Sequence, residues 1–283
     1  MTSLVTSRPA PMRCASADRM MWITPSRIFY AGLLGAPSLQ SKGAVVVYVA
    51  LEGALRVRVG GGEARSAEVA VIQPYTPYEI VACGRHVLSI VIEAETVDRE
   101  RLPAPLNECG PVAMPAFAAH VRQLHRAWVD KGAAFDLTPG DFDPSFFGAA
   151  LPAARHDARI AAVIGRLQGQ PSTPLSAVEA AAVAKLSPSR FLHLFRQEVG
   201  ATFRAFRGWK RARSVLHYVK RDDNLIAVAL DTGYPDAAHF CRCIRQTYGL
   251  RPKDIFAGSR KLRLIDPCPP PARALGAHAG GAQ

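Results

Sequence analysis

A ten-residue segment that occurs twice most constrains the fold of this chain of 283 residues. Residues 191–200 read FLHLFRQEVG and residues 240–249 read FCRCIRQTYG, so that Phe, Arg, Gln and Gly recur at an offset of 49 positions. In both copies apolar residues fall at positions i, i+3, i+4 and i+8, which form one stripe along a helix. The repeat therefore predicts two similar amphipathic helices, each with a buried face and an exposed face that carries arginine.

Residues that favour helix ends flank both copies. Ser187 followed by Pro188 offers an N-cap and a first-turn proline, and Asp236 offers an acidic cap. Gly200 and Gly249 are typical of helix C-termini. Taken alone, each segment also fits an ordinary surface helix, so its interpretation depends on the neighbouring segments.

Each repeated helix follows a shorter predicted helix and a tight turn. Ser176 and Glu179 form a capping box that begins an Ala-rich helix just before the first copy. Residues 225–232 and the Gly233-Tyr234 turn precede the second copy in the same way. A helix, a tight turn and a helix with a polar face is the order of a helix-turn-helix motif. The sequence therefore predicts an all-α C-terminal domain with two such motifs.

A basic linker helix is predicted to join the two motifs over residues 203–219. At 1.5 Å per residue it spans roughly 25 Å. That length suits two polar faces that lie about one DNA turn, some 34 Å, apart in successive major grooves.

The net charge of +12 lies almost entirely in the region of the repeat. Residues 155–263 hold 20 Lys and Arg against 8 Asp and Glu, whereas residues 1–154 hold 14 of each kind. A basic domain beside a neutral one is typical of a polyanion binder, because Lys and Arg displace counterions from phosphates. The basic helices lack a continuous exposed apolar face, so nucleic acid is favoured over a membrane surface.

The N-terminal half has the pattern of short antiparallel strands between Arg27 and Glu93. Alternation over residues 55–59, a Gly turn at 60–62 and a returning strand favour an antiparallel meander that closes into a small barrel or sandwich, and we predict a cupin-like antiparallel β-barrel with helices. Such a barrel can hold a small ligand at its mouth, or serve as a dimerisation module with a filled interior, and the sequence leaves both open. It offers no His-x-His cluster with a nearby Glu, so we predict no metal and no cofactor.

These patterns divide the chain into five segments. We predict a disordered leader at 1–22, an effector or dimerisation domain at 23–131, a linker at 132–154, a DNA-binding domain at 155–263 and a disordered tail at 264–283. Residues 115–130 form an amphipathic helix that packs on the barrel or mediates self-association. The absence of a long apolar run and six scattered cysteines favour a cytoplasmic protein.

The C-terminal hundred residues resemble the AraC/XylS family of bacterial transcription regulators. The resemblance is carried by LSPSRFxxLF at 186–195, GxxF at 200–203, the Gly233-Tyr234 turn with FxR at 240–242, and GxxP at 249–252. It implies two helix-turn-helix motifs that each place a recognition helix in the major groove, and activation through contact with RNA polymerase. The N-terminal half is similar to the family only in plan.

Three departures from the family pattern guide the choice of DNA-contacting residues. Lys185 replaces the usual turn Gly, Ala180 replaces a usual Leu, and Ala237-Ala238 begin the second recognition helix where polar side chains are common. Alanine can meet a thymine methyl but cannot hydrogen-bond a base edge, so the first helix is expected to carry most direct readout. The candidate DNA contacts are Ser189, Arg190, Leu192, His193, Arg196, Arg211, Ala237, Ala238, Cys241, Arg242 and Arg245.

The sequence as a whole predicts a transcription regulator that binds promoter DNA specifically and is not an enzyme. RNA polymerase is the expected protein partner, and the N-terminal half is expected to sense a small molecule or form a homodimer. Two alternatives are a non-specific RNA-binding or architectural protein, and a cupin-type enzyme with a basic module. No cluster of acid, base and nucleophile supports the enzyme.

Overall fold

The structure is a computed structural model that describes residues 18–82, 86–131, 137–170, 173, 175–221 and 224–266. The predicted leader and tail fall largely outside these residues. Among the described helices none is both long and apolar enough to cross a membrane.

The described strands form two sheets. They are β1 (Met20–Ile23), β2 (Arg27–Leu33), β3 (Ala44–Ala50), β4 (Leu55–Val59), β5 (Arg65–Ala67), β6 (Val69–Ile72), β7 (Tyr78–Ala82), β8 (His86–Glu93), β9 (Gly110–Val112) and β10 (Arg263–Ile265). One sheet has the order β10-β1-β2-β8-β3-β6-β9, and the other has the order β5-β4-β7. All pairings are antiparallel except that of β1 with β10.

The described α-helices all lie after β8 in the sequence. They are α1 (Ala104–Asn107), α2 (Pro115–Asp130), α3 (Phe142–Phe147), α4 (Ala158–Gly169), α5 (Ala177–Val183), α6 (Pro188–Val199), α7 (Phe203–Ser214), α8 (Leu225–Asp231), α9 (Ala237–Tyr248) and α10 (Pro252–Ser259). Strand β9 lies between α1 and α2, and β10 lies after α10. The predicted linker helix is α7 followed by a 3-10 turn at Val215–Tyr218.

The central strand β3 is buried on both faces, and its alternating side chains enter two different cores. Val45, Val47 and Val49 face a core that α2 and α3 cover. Val46 and Tyr48 face a second core, which lies between the two sheets and extends to α7 and α10. A continuous apolar run such as AVVVYVA suits this position, whereas the alternating pattern of β4 suits a sheet with one exposed face.

A closed cupin-like barrel is not confirmed, because the described strands of the N-terminal half form two open sheets packed face to face, as in the sandwich alternative. The ladder of β3 ends at a bend where Gly53 adopts a positive φ of 61°, and β4 then starts the smaller sheet. In the larger sheet β9 and β10 remain as edges. The coarser expectation of a strand-rich N-terminal region and a helical C-terminal domain is confirmed.

Strands or helices occupy parts of three of the predicted segments outside the two domains. Residues 20–22 of the predicted leader lie in β1, and residues 264–265 of the predicted tail lie in β10, which pairs with β1 in parallel. The predicted linker contains α3, whose Phe142 and Phe146 are buried in the first core. Asp143 of this helix accepts two hydrogen bonds from Arg27, at 2.7 and 2.9 Å. Phe side chains and this ion pair therefore make the segment part of the N-terminal core.

The linker helix α7 is anchored to the N-terminal half by a buried cluster of charges, termed here the ion cluster: Glu93, Glu95, Lys210 and Arg213. Lys210 donates to both carboxylates, and Arg213 Nε lies 2.8 Å from Glu93 Oε1. Burial by itself raises the pKa of Glu93, but the adjacent Lys210 and Arg213 outweigh it and hold the pKa below its usual range. Trp209 Nε1 also donates to Glu93 Oε2, at 2.9 Å. The linker helix therefore packs as part of both halves.

Replacing Glu93 with Ala is expected to lower the free energy of unfolding by about 3–5 kcal/mol, because it leaves the Arg213 charge buried without its carboxylate partner. Denaturant unfolding monitored by circular dichroism measures this loss. The matched control is Glu79→Ala, which removes an exposed ion pair with Arg58 and is expected to cost under about 1 kcal/mol. Similar losses in both variants would contradict a role for the ion cluster in joining the halves.

Candidate nucleic-acid interface

The first helix-turn-helix consists of α5 and α6. Ser176 and Glu179 form the predicted capping box, with hydrogen bonds of 2.7 and 3.1 Å between each side chain and the other residue's backbone N–H. The turn is closed by a hydrogen bond that the Leu186 N–H donates to Ala181 O, at 2.9 Å. Lys185, which stands where the family has Gly, adopts a left-handed φ of 54°. Such a φ is unfavourable for a residue with a Cβ, so this turn keeps its shape at an energetic cost.

Helix α6 buries its apolar stripe and exposes its polar face, as the repeat predicts. Phe191 and Phe195 are fully buried and pack against Phe203 of α7, with ring centroids 5.0 and 5.2 Å away. Ser187 caps the helix, and Gly200 ends it with a φ of 73°. The residues predicted to contact DNA from this helix are all exposed: Ser189, Arg190, Leu192, His193 and Arg196.

The second helix-turn-helix, α8 and α9, repeats this local geometry. Tyr234 N–H donates to Ala229 O at 2.9 Å, the counterpart of the bond that closes the first turn. Gly233 adopts a positive φ of 79°, which glycine tolerates, so this turn does not carry the strain that Lys185 brings to the first turn. Asp236 caps α9 through the His239 N–H at 2.7 Å. Asp236 lies two residues after Tyr234, the residue that closes the turn. In the first motif the cap, Ser187, directly follows Leu186.

Helix α9 exposes the five residues that the sequence singled out in it: Ala237, Ala238, Cys241, Arg242 and Arg245. The buried stripe is Phe240 and Ile244, which pack with Tyr234 and Ala212 in a small core of their own. Two alanines therefore occupy the exposed first turn of α9. Cys241 is exposed and Cys243 is half-buried, because residues two apart on a helix point in nearly opposite directions.

Arg211 differs from the other candidates because it lies inside the domain. Its guanidinium lies over the ring of Tyr234, 5.3 Å from the centroid, and the side chain is only partly exposed. This contact joins α7 to the turn of the second motif. Arg211 therefore packs the two elements together.

The structure brings two further cations to the exposed face of α9. Arg251 and Lys253, at the start of α10, line one groove together with Arg242 and Arg245. Sequence reasoning used Pro252 only as a family motif and did not consider its basic neighbours. The signal was available, since Arg-Pro-Lys directly after the helix-ending Gly249 indicates a new helix start with two flanking cations.

A cavity of about 240 Å³ lies between the two halves. Its walls are largely apolar and come from β2, β3 and β8 on one side and from α7, α9 and α10 on the other. The residues that decide its chemistry are Lys42, Gln40, Tyr48 and Trp209, while Leu216 and Ile255 are among its apolar walls.

Lys42 is the cation of this cavity and is almost completely buried. Its Nζ donates to Gln40 Oε1 at 2.6 Å, to Tyr78 Oη at 2.7 Å and to Tyr48 Oη at 3.2 Å. These acceptors are neutral, and burial lowers the pKa of Lys42 to about 7. The cavity therefore joins an apolar interior to an amine that is close to its titration point at neutral pH.

Comparison with known proteins agrees with this architecture. The helix-turn-helix domain family matches residues 180–258. Over 100 residues the chain is 28% identical to an uncharacterized HTH-type transcriptional regulator of Haemophilus influenzae, and the aligned segment is 35% of this chain and 34% of that relative. The chain thus covers about a third of the relative's length. Residues 180–258 are an AraC-type helix-turn-helix domain, which confirms the family resemblance seen in the sequence.

Over about four-fifths of the chain the fold is similar to that of ToxT from Vibrio cholerae. One solved ToxT structure gives a TM-score of 0.54 at 7% identity and covers 82% of this chain and 98% of that chain. A second, from Vibrio cholerae O395, gives a TM-score of 0.55 at 7% identity, with 83% and 98% covered. At this identity the similarity concerns the fold alone, a sheet-rich N-terminal region followed by a helical domain with helix-turn-helix motifs.

Proposed function

We propose that the protein is a sequence-specific DNA-binding transcription regulator. The observation that carries the proposal is the pair of helix-turn-helix motifs, α5–α6 and α8–α9, which both expose cationic second helices within the basic part of the chain. Exposed arginines on such helices suit the phosphates and base edges of a major groove. Promoter DNA is accordingly the proposed partner, and contact with RNA polymerase and a cytoplasmic location follow from this role.

The two recognition helices are proposed to divide the work of DNA binding. Helix α6 offers Ser189, Arg190 and His193, which carry hydrogen-bonding groups that can read base edges. Helix α9 begins with two alanines and offers Arg242 as its best reader, while Arg245 and Arg196 hold phosphates. The first motif therefore supplies most of the sequence preference and the second mostly adds affinity.

Selection of bound duplexes from a random DNA pool by the full-length protein tests this function. We expect the pool to converge on one sequence that binds about a thousandfold more tightly than unselected DNA at the same salt. Equal affinity for selected and unselected duplexes, or for duplex RNA, would instead support the alternative of a non-specific nucleic-acid binder.

The division of roles predicts different outcomes for two variants on the selected duplex. His193→Ala is expected to weaken binding by about 1–3 kcal/mol and to relax preference at the bases that it contacts. Arg245→Ala, which removes a cation from α9, is expected to weaken binding to all sequences alike. It should also lower the slope of log affinity against log salt concentration by about one. Fluorescence anisotropy titrations at several salt concentrations measure both. Uniform weakening by both variants would contradict the proposed readout by α6.

We further propose that a small molecule controls this DNA binding from the cavity between the two halves. The support is the cavity itself, with its apolar walls and the buried amine of Lys42, whose hydrogen-bond acceptors are all neutral. An apolar molecule with an acidic end fits both features, because its carboxylate would give Lys42 the charged partner that it lacks within the described residues. Dimerisation through the N-terminal half remains a second proposed role, which this cavity does not support.

Decanoate and decanol serve as matched probes of this cavity in titration calorimetry. Decanoate is charged throughout pH 6–9, so its affinity depends on the charge of Lys42. Because the pKa of free Lys42 is about 7 and pairing with an anion raises it, affinity should be constant below pH 7. Above pH 7 it should fall, by up to about tenfold per pH unit.

Two controls separate the charge from the apolar fit. Decanol should show a much weaker dependence on pH over this range, because its neutral hydroxyl forms no ion pair with the Lys42 ammonium. Lys42→Met should abolish the pH dependence for decanoate. A pH profile for decanoate that Lys42→Met leaves unchanged would refute the assignment of Lys42.

A further inference from the structure

The segment between β2 and β3, residues 34–42 and termed here the strap, contacts both the cavity and the second recognition helix. We propose that the strap is an autoinhibitory contact, which holds the end of α9 against the N-terminal half and must release it before α9 can bind DNA. This inference rests on the proposed DNA-binding function and adds a regulatory element to it.

The strap binds the C-terminal end of α9 through three contacts. Ser41 N–H donates to Gln246 O at 3.0 Å, and Ser38 Oγ donates to Gly249 O at 3.1 Å. Gly35 approaches Leu250 so closely that an added Cβ would lie 2.4 Å from Leu250 Cδ2. The last carbonyls of a helix have no partner within the helix, so the strap satisfies groups that water would otherwise solvate.

The tip of the strap lies beside the cations that α9 offers to DNA. Leu39 is 61% exposed and lines the same groove as Arg242 and Arg245. A B-DNA major groove is about 12 Å wide, and a helix with its side chains is already about 10–12 Å across. The strap beside α9 therefore does not fit into the major groove together with the helix. In the present arrangement the strap and a duplex compete for this side of α9.

The opposite side of the strap forms a wall of the cavity. Leu34, Gly35, Gln40 and Lys42 line it, and the Lys42 amine lies 5.6 Å from the ring centroid of Tyr248 in α9. A molecule that contacts both this wall and the helices opposite binds best to the docked strap. Its binding shifts the population toward that arrangement, so occupancy of the cavity lowers the DNA affinity of α9.

Ser41 provides a matched pair of variants of the full-length protein. Ser41→Pro removes the N–H that donates to Gln246, whereas Ser41→Ala keeps it. On the selected duplex, we expect Ser41→Pro to bind about five- to tenfold more tightly than wild type, and Ser41→Ala to bind like wild type. On a duplex scrambled only in the half that the second motif protects, all three proteins should bind equally.

An engineered disulfide tests the opposite direction and does not depend on the folding of Ser41→Pro. A Cβ at Gly35 would lie 2.8 Å from Leu250 Cγ, where the sulfur of a cysteine at 250 would lie, so Gly35→Cys with Leu250→Cys is within reach of a bond. The oxidised double variant should lose at least fivefold in affinity for the selected duplex and regain it on reduction. Each single variant serves as a control for the native cysteines.

The outcomes separate the two proposals. If wild type selects no sequence, the DNA-binding function fails. If wild type selects a sequence but the folded Ser41→Pro protein binds it no more tightly, or the oxidised double variant binds it as well as the reduced one, the function stands and the autoinhibitory strap is refuted.

Discussion

The arrangement of the two halves depends on the carboxylate of Glu93. This side chain is fully buried at the end of β8 and is bonded by Trp209, Lys210 and Arg213, three residues within one and a half turns of α7. Charges in an apolar interior are tolerated only when they are paired, so the cluster allows one placement of α7 on the sheet. Gly43 makes that placement possible, since an added Cβ there would lie 2.6 Å from the Trp209 ring. The helix that joins the two DNA-binding motifs is thereby positioned by the N-terminal half.

This anchoring gives a physical route by which the N-terminal half can influence DNA binding. The first motif is linked to that half through the segment before α4: Glu198 at the end of α6 accepts a hydrogen bond from the Asp157 N–H, and the neighbouring His156 bonds Glu95 O. The strap holds the end of α9. The spacing of the two recognition helices is therefore a property of the whole chain. In the proposed function, a molecule in the cavity acts on contacts of this kind rather than on the DNA-binding surface directly.

The two motifs are alike in scaffold and differ where specificity is expected. Both turns are closed by the same backbone hydrogen bond of 2.9 Å, and both second helices end at a glycine in the left-handed conformation. The differences are the strained Lys185 against Gly233, the additional residue Pro235 before the second cap, and polar residues against alanines in the exposed first turn. In the proposed function, this duplicated scaffold with different surfaces contacts two unlike half-sites.

The sequence by itself determined the local features of this protein. Periodicity, caps and terminal glycines predicted α2, α6 and α9 to the residue, because a helix with clear start and stop signals depends little on distant contacts. The segregation of charge and the repeat predicted a nucleic-acid-binding domain with two helix-turn-helix motifs. The AraC type of this domain and its candidate residues followed from the resemblance of its motifs to that family. The position of strand β4 was also predicted, since turns and alternation are local.

Only the tertiary structure decided how these elements combine. Whether a meander closes into a barrel depends on which strands pair, and the bend at Gly53 leads to two open sheets instead. The pairing of β10 with β1 joins residues that are far apart in the sequence, so no local pattern reports it. The same holds for Lys42, an unremarkable residue in the sequence that becomes a buried amine only when both halves close over it. Long-range packing sets burial, and burial sets the chemistry of such groups.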